Sequence, residues 1–407
     1  MKKITALLLC LTLLLTLAGC GVKVEAQSLT EDIIPDKGIS SLLVDENFKT
    51  AQLNFSVGLF GELYEGRNLL ISPLSVTSCL AMAGIGAQGE TLLEFTDLYG
   101  GLSPLQLAYY MPDYRRILES DSLKTANSAW YKNITEAQPA KPYLQEVVNY
   151  FDAQLYTVPF DKETVNQVNA WVEDATDGKI DKIADRFDPN TLLYLVNALS
   201  FEGDWEVIYK KSNVKRGDFT NISGKVTAVD MMYSNESVYL EDENTTGFLK
   251  PYEGGKFAFV ALLPDKSVTL GDYIKELSAK KLKDLLDGRE NMPVNTALPK
   301  FSAEYSAELK EPLSQMGLTT AFGGKADFSA MSRFGEPDLF IGSVLHKTYI
   351  SVDGKGTKAG AVTSIAVNTK SAPDVGEKQV ILDRPFIYMI IDTKTNLPVF
   401  MGSLCDL

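Results

Sequence analysis

Residues 191–201 read Thr-Leu-Leu-Tyr-Leu-Val-Asn-Ala-Leu-Ser-Phe, a nearly continuous apolar run. Such a run, with no polar alternation, fits a strand buried on both faces. Asn197 stands in its middle, and a buried amide needs hydrogen-bond partners from elsewhere in the chain. Further strand candidates follow at 256–263, 344–352, 386–392 and 397–404. Upstream the periodicity is helical. Phe48, Leu53, Val57 and Phe60 recur at helical spacing. Ser72-Pro73 opens another helix, with Ser72 as cap and Pro73 at its first position. The Val76, Leu80, Ala83 and Gly84 that follow predict a closely packed helix. Val165, Val168, Val172 and Ala175 share one face of a helix over 163–176, which Asp177-Gly178 stops. Helices first and large sheets later indicate an α+β fold, not an alternating doubly wound one.

The 407 residues are 45% hydrophobic and 23% charged, which argues against a disordered, collagenous or coiled-coil chain. No Pro/Ser-rich linker or internal repeat interrupts the chain after residue 45, so 45–407 reads as one large domain. The net charge of −14 disfavours a nucleic-acid partner, because phosphate contacts need clustered cations. A single histidine, His346, disfavours a His-rich metal site. A triad hydrolase would have to use His346 as its base, and no G-x-S-x-G elbow accompanies it. Gly354-Lys355-Gly356-Thr357-Lys358-Ala359 matches a dinucleotide fingerprint after a strand, but β-branched residues follow where a helix is required. No cofactor and no metal are expected.

The first residues are an address. Lys2 and Lys3 precede an apolar stretch from Ile4 to Leu17, and Leu17-Ala18-Gly19-Cys20 closes it. This is the layout of a secretory signal, and its ending resembles a bacterial lipobox. In signals of that kind the cysteine is lipidated and becomes the mature N-terminus; the alternative is an ordinary signal with an accidental Cys20. The expected division is a lipoprotein signal peptide at 1–19, a lipidated N-terminus and tether at 20–44, and the folded domain at 45–407. Acyl chains such as palmitate on Cys20 would anchor the exported protein to the outer face of a bacterial membrane, from which it could be shed. Cys79 and Cys405 are expected as free thiols.

Residues 345–385 do not fit a resting structure. His346 to Val352 reads as a strand, and Asp353-Gly354-Lys355-Gly356 breaks it. From Thr357 the chain alternates with period two: Thr357, Ala359, Ala361, Thr363, Ile365 and Val367 form one face, with small or polar residues on the other. That pattern suits a strand, yet the stretch ends in Lys370-Ser371-Ala372-Pro373-Asp374, the composition of an exposed turn. A plain edge hairpin with a long loop also accommodates it.

Over about 360 residues the chain resembles the serpin family of protease inhibitors. Val380-Ile381-Leu382-Asp383-Arg384-Pro385-Phe386-Ile387-Tyr388 is similar to the family's C-terminal signature. Asn197 to Trp205 resembles its central strand and the turn after it. Ser72-Pro73-Leu74-Ser75 resembles its buried helix start, and Leu298-Pro299-Lys300-Phe301 and Phe400-Met401-Gly402 resemble further strands. Shared order and spacing make the combination specific.

The resemblance implies a serpin fold of three β-sheets with eight or nine helices and an exposed reactive-centre loop. It implies an inhibitor of extracellular serine proteases, not an enzyme, acting as a suicide substrate: the loop is cleaved, an acyl-enzyme forms, and the loop inserts into the main sheet. Family spacing places the scissile bond at Lys370–Ser371, and a Lys there suits a trypsin-like pocket. The hinge would comprise Gly356, Thr357, Ala359, Gly360 and Ala361, small enough to enter the sheet. Ser72, Ser75, Asn197 and His346 would form a buried network that gates sheet opening, and Trp205 and Lys300 would sit at the top of the sheet. Many family inhibitors pair an acid at the loop base with the lysine matching Lys300; here the position is Gly354, so that pair cannot form, and the sheet top either opens more readily or uses another contact. A monomer is expected. The alternatives are a non-inhibitory serpin acting as a binding module and an inhibitor of a papain-like cysteine protease.

Overall fold

The computed structural model describes residues 26–188, 191–334, 339–357 and 378–407. The apolar run becomes the centre of a six-stranded sheet. In spatial order its strands are β1 (Gln27–Ser28), β4 (Gln154–Val158), β3 (Leu123–Lys132), β5 (Leu193–Phe201), β13 (Ile341–Val352) and β12 (Phe301–Glu308). All nine residues of β5 are buried, as an unalternating apolar run requires. A second sheet runs β15 (Lys378–Ile381), β11 (Glu290–Pro299), β8 (Val226–Glu241), β9 (Thr245–Pro251), β10 (Phe257–Pro264), β16 (Phe386–Asp392), β17 (Pro398–Leu404), β2 (Leu69–Ile71), with β7 (Val214–Thr220) paired to β8. The third is the two-residue pair β6 (Gly203–Asp204) and β14 (Gly356–Thr357).

Nine α-helices lie among the described residues: α1 (Glu46–Leu63), α2 (Pro73–Gly84), α3 (Gly89–Leu98), α4 (Pro104–Leu118), α5 (Lys141–Phe151), α6 (Lys162–Ala175), α7 (Leu270–Glu276), α8 (Ala279–Asp287) and α9 (Lys310–Gln315). Ser72 caps α2 and Pro73 takes its first turn, as the sequence predicts. Every residue of α2 except Ser78 is buried, because the helix runs through the core against β5 and β17. Asp177 and Gly178 both adopt positive φ (51° and 73°) and end α6.

The two large sheets meet through aromatic side chains. The Phe201 ring lies 5.3 Å from that of Phe257, and Phe301 lies 5.1 Å from Tyr388. On the other face of the six-stranded sheet, α6 covers a smaller cluster that includes Trp130, Phe160, Trp171 and Tyr194. Cys79 and Cys405 are free and buried.

The described part of the segment expected as a tether over 20–44 makes contacts with the folded domain. Ser28 pairs with Tyr156 at the sheet edge, Asp36 N–H donates to Asn149 Oδ1 at 2.9 Å, and Val44 N–H donates to Asp113 Oδ2 at 3.0 Å. Backbone groups seeking partners explain the docking, and they leave no trace in a Ser/Thr/Asp/Pro/Gly composition.

Candidate functional site: the central strand junction and the base of the loop

β5 and β13 lie side by side and parallel, with His346 opposite Asn197. On the other side of β5, β3 is antiparallel and puts Asn127 opposite Asn197. The start of α2 packs beneath this junction. Ser72 N–H donates to His346 Nε2 at 3.1 Å. A backbone N–H can only donate, so Nε2 carries the lone pair and the proton sits on Nδ1. Nδ1–H then donates to Asn197 Oδ1 at 2.6 Å. The Asn197 amide nitrogen donates to Ser75 Oγ and to Asn127 Oδ1. Ser75 N–H donates in turn to Ser72 Oγ at 3.4 Å, and Thr348 Oγ1, one turn of pleat along β13, donates to Leu70 O at 2.7 Å.

These side chains come from four elements, and Ser72, Asn197 and His346 are completely buried. Burial pushes His346 down to about 3, so it is neutral at physiological pH. Both its nitrogens are taken, one by a backbone N–H and one by an amide oxygen. A general base needs a free lone pair facing a nucleophile and an acid to orient it; this ring offers neither. The structure thus brings Ser72, Ser75, Asn197 and His346 together and adds Asn127. A polar residue on the strand after an α-helix gave no signal of its own, since its partner is set by antiparallel register.

The second part of the site is the loop base, just beyond β13. Trp205 stacks on Tyr252 with ring centres 4.5 Å apart and planes 15° from parallel. Trp205 Nε1–H donates to Asp353 O at 2.9 Å, Trp205 N–H to Lys355 O at 2.7 Å, and Tyr209 N–H to Gly354 O at 2.7 Å. Gly356 and Thr357 then pair antiparallel with Asp204 and Gly203. Gly356 must be glycine: a Cβ there would collide with the Gly203 backbone. Thr357 is fully buried, its hydroxyl 2.8 Å from Tyr252 Oη. Gly356 and Thr357, expected as the start of the hinge, therefore lie on the extension of β5.

Gly354 rests against Tyr209 and Val214. Lys300 turns instead to Asp230 at 3.8 Å, a half-exposed pair of small energetic weight. A different cation serves this region from beneath. Lys250, on β9, is paired with Glu236 on β8 at 2.8 Å, and both side chains are buried. Sequence reasoning missed this pair. A lysine between Leu249 and Pro251, just ahead of an apolar strand, was the available signal; nothing local marks Glu236. Cys20, Ala359, Gly360, Ala361, Lys370 and Ser371 lie outside the described residues.

Comparisons with known proteins agree with this fold. The family model described as Serpin (serine protease inhibitor) matches residues 50–407. Intracellular coagulation inhibitor 2 of Tachypleus tridentatus is 31% identical over 378 residues, covering 89% of this chain and 91% of that protein. Leukocyte elastase inhibitor of Bos taurus is 30% identical, covering 88% and 99%. Among solved structures, the thermophilic serpin Tengpin in its native state is 40% identical with a TM-score of 0.89, covering 94% of this chain and 100% of that one. In its latent state the same protein superposes less well, with a TM-score of 0.78 over 90% of this chain and 100% of that one.

Proposed function

The chain belongs to the serpin family, and on that premise we propose that it inhibits trypsin-like serine proteases outside the cell by suicide-substrate trapping. One observation carries the reading. β5 and β13 are direct neighbours and parallel, while Gly356–Thr357 already runs antiparallel along the extension of β5. A strand entering between the two, antiparallel to both, would satisfy every ladder hydrogen bond that the separation breaks. The residues after Thr357 have the period-two pattern for that strand.

In the proposed sequence the protease serine attacks the Lys370 carbonyl. The Lys370–Ser371 amide bond breaks, the Ser371 amine leaves with the proton relayed by the protease histidine, and an ester joins Lys370 to the protease. Loop insertion then competes with hydrolysis of that ester. The chain's own residues do no bond chemistry. On insertion Thr357, Ala359 and Ala361 would present small side chains to the sheet interior, and the Ser72–His346–Asn197–Ser75 network is what would have to yield as β5 and β13 part. Lipid on Cys20 would hold the inhibitor, as a monomer, at the outer face of a bacterial membrane; the Leu-Ala-Gly-Cys ending supports this. Mass spectrometry of the purified chain, reading an acylated Cys20 as the first residue, tests the anchor.

The test of function mixes the purified chain with trypsin and resolves the products on a denaturing gel. The expected result is a boiling-resistant band at the summed mass, absent with Lys370→Glu. Clean cleavage with trypsin still active would instead make the chain a substrate and support the binding-module alternative. A papain-like cysteine protease also forms an acyl intermediate and belongs in the same assay as a second target.

A further inference from the structure

Beneath the loop base lies a buried ion pair that the mechanism above does not use. The side chains of Lys250 and Glu236 are 2% and 8% exposed. Besides Glu236, the Lys250 ammonium donates to Val207 O at 3.0 Å and lies 4.6 Å from the centre of the Tyr209 ring and 5.4 Å from that of Trp205. It thus holds the 205–209 segment at three points. The backbone of that same segment binds the loop base, through Trp205 to Lys355 and Tyr209 to Gly354. Tyr252, two residues beyond Lys250, meets Thr357.

The contacts continue the other way. Ser234 Oγ donates to Glu236 Oε1 at 2.5 Å and lies 2.9 Å from Thr296 Oγ1 on β11. Thr296 is in register with Val380 of β15, where the chain returns from the loop. A run of side-chain contacts, ring contacts and strand pairing therefore connects the start of the loop to its return. A buried ion pair is a poor way to gain stability, because desolvation opposes the Coulomb attraction; fixing one alignment among several is its best-attested use. Gly354 has no side chain to offer Lys300, which pairs with Asp230 instead.

We propose that Lys250 and Glu236 are positioning residues that hold the 205–209 segment, and through it Gly356–Thr357, in the alignment from which the loop enters the sheet. The inference rests on the inhibitory reading given above. A misaligned hinge enters more slowly, so more acyl-enzyme hydrolyses before it is trapped. The first encounter with the protease is unaffected, because it depends on residues near the scissile bond.

The experiment measures how many inhibitor molecules are consumed per trypsin molecule trapped. Lys250→Met should raise that number about fivefold or more, with the initial cleavage rate within about twofold of the parent. Lys250→Met alone leaves Glu236 uncompensated and lowers the unfolding temperature. The double variant Lys250→Met/Glu236→Leu removes both charges and should restore that temperature while the consumption stays raised. A double variant with parental consumption would overturn the proposal, since the pair would then serve only stability. If the parent chain itself traps no trypsin, the inhibitory reading fails. Positioning is then read separately, from the uptake rate of a synthetic peptide spanning residues 357–370. A loosened Thr357 competes less well for the slot, so uptake should rise several-fold in the double variant; an unchanged rate would sink the positioning role.

Discussion

At the scale of single residues, His346 shows how burial selects chemistry. Its depressed pKa, about 3 against 6.5 for an exposed imidazole, means that the unfolded chain takes up a proton that the folded chain refuses. The contribution of this residue to stability is therefore fully present above about pH 6.5 and is lost as pH falls toward 3, at up to ~1.4 kcal/mol per pH unit. Denaturant unfolding between about pH 7 and about pH 4 should show this loss, and His346→Asn should flatten that part of the profile relative to the parent. His346→Ala should lower the unfolding free energy by about 2–4 kcal/mol, because Ser72 N–H and Asn197 Oδ1 are left buried without partners. A loss under about 0.5 kcal/mol in equilibrium unfolding would mean that water or a rearranged side chain replaces the ring.

At the scale of elements, the decisive feature is a two-residue strand. β14 is too short to be stable alone, and its position depends on Tyr252, Trp205 and the close backbone approach at Gly356. Thr357 fits because its hydroxyl has a partner and its volume is small. Thr357→Arg would place a charge in a fully buried position, at a cost of several kcal/mol unless the hinge swings out. The expected outcome with trypsin is a switch from covalent complex to cleaved chain, read as the ratio of the two bands. An unchanged ratio would show that Thr357 need not enter the sheet. Helix α2 makes a related point: its cap, Ser72, is also a donor to the buried polar network through its backbone. Ser72→Ala should cost about 1 kcal/mol in unfolding as a lost cap.

At the scale of the whole molecule, the proposed function requires a native state held by a barrier, not by being the lowest in free energy. The six-stranded sheet keeps β5 against β13, although the chain carries a further strand-forming segment of its own. On the proposed mechanism, cleavage within 358–377 would free that segment to insert. Thermal unfolding of the trypsin-cleaved chain should then lie more than about 10 °C above that of the intact chain, since insertion adds a full strand to the six-stranded sheet. Equal unfolding temperatures, followed by circular dichroism, would show that the cut loop stays outside.

Much of this protein is legible in its linear order. The apolar run at 191–201, the Ser72-Pro73 helix start, the Asp177-Gly178 stop and the later strands all appear in the structure as the pattern predicts. These features are local: side-chain periodicity and capping are set by neighbours within a few residues. That Asn197 needs partners is also local knowledge. Which partners it has is not. Ser75, Asn127 and His346 reach it only because a helix, an antiparallel strand and a parallel strand converge there in one register. The docking of 27–36 against β4 and α5, the turn of Lys300 toward Asp230, and the Lys250–Glu236 pair near the loop base are of the same kind. Each joins groups whose meeting depends on strand register and on the exclusion of water by the complete core. A sequence carries the propensity of each segment; the free energy of a buried polar contact exists only once the fold has removed its alternatives in solvent.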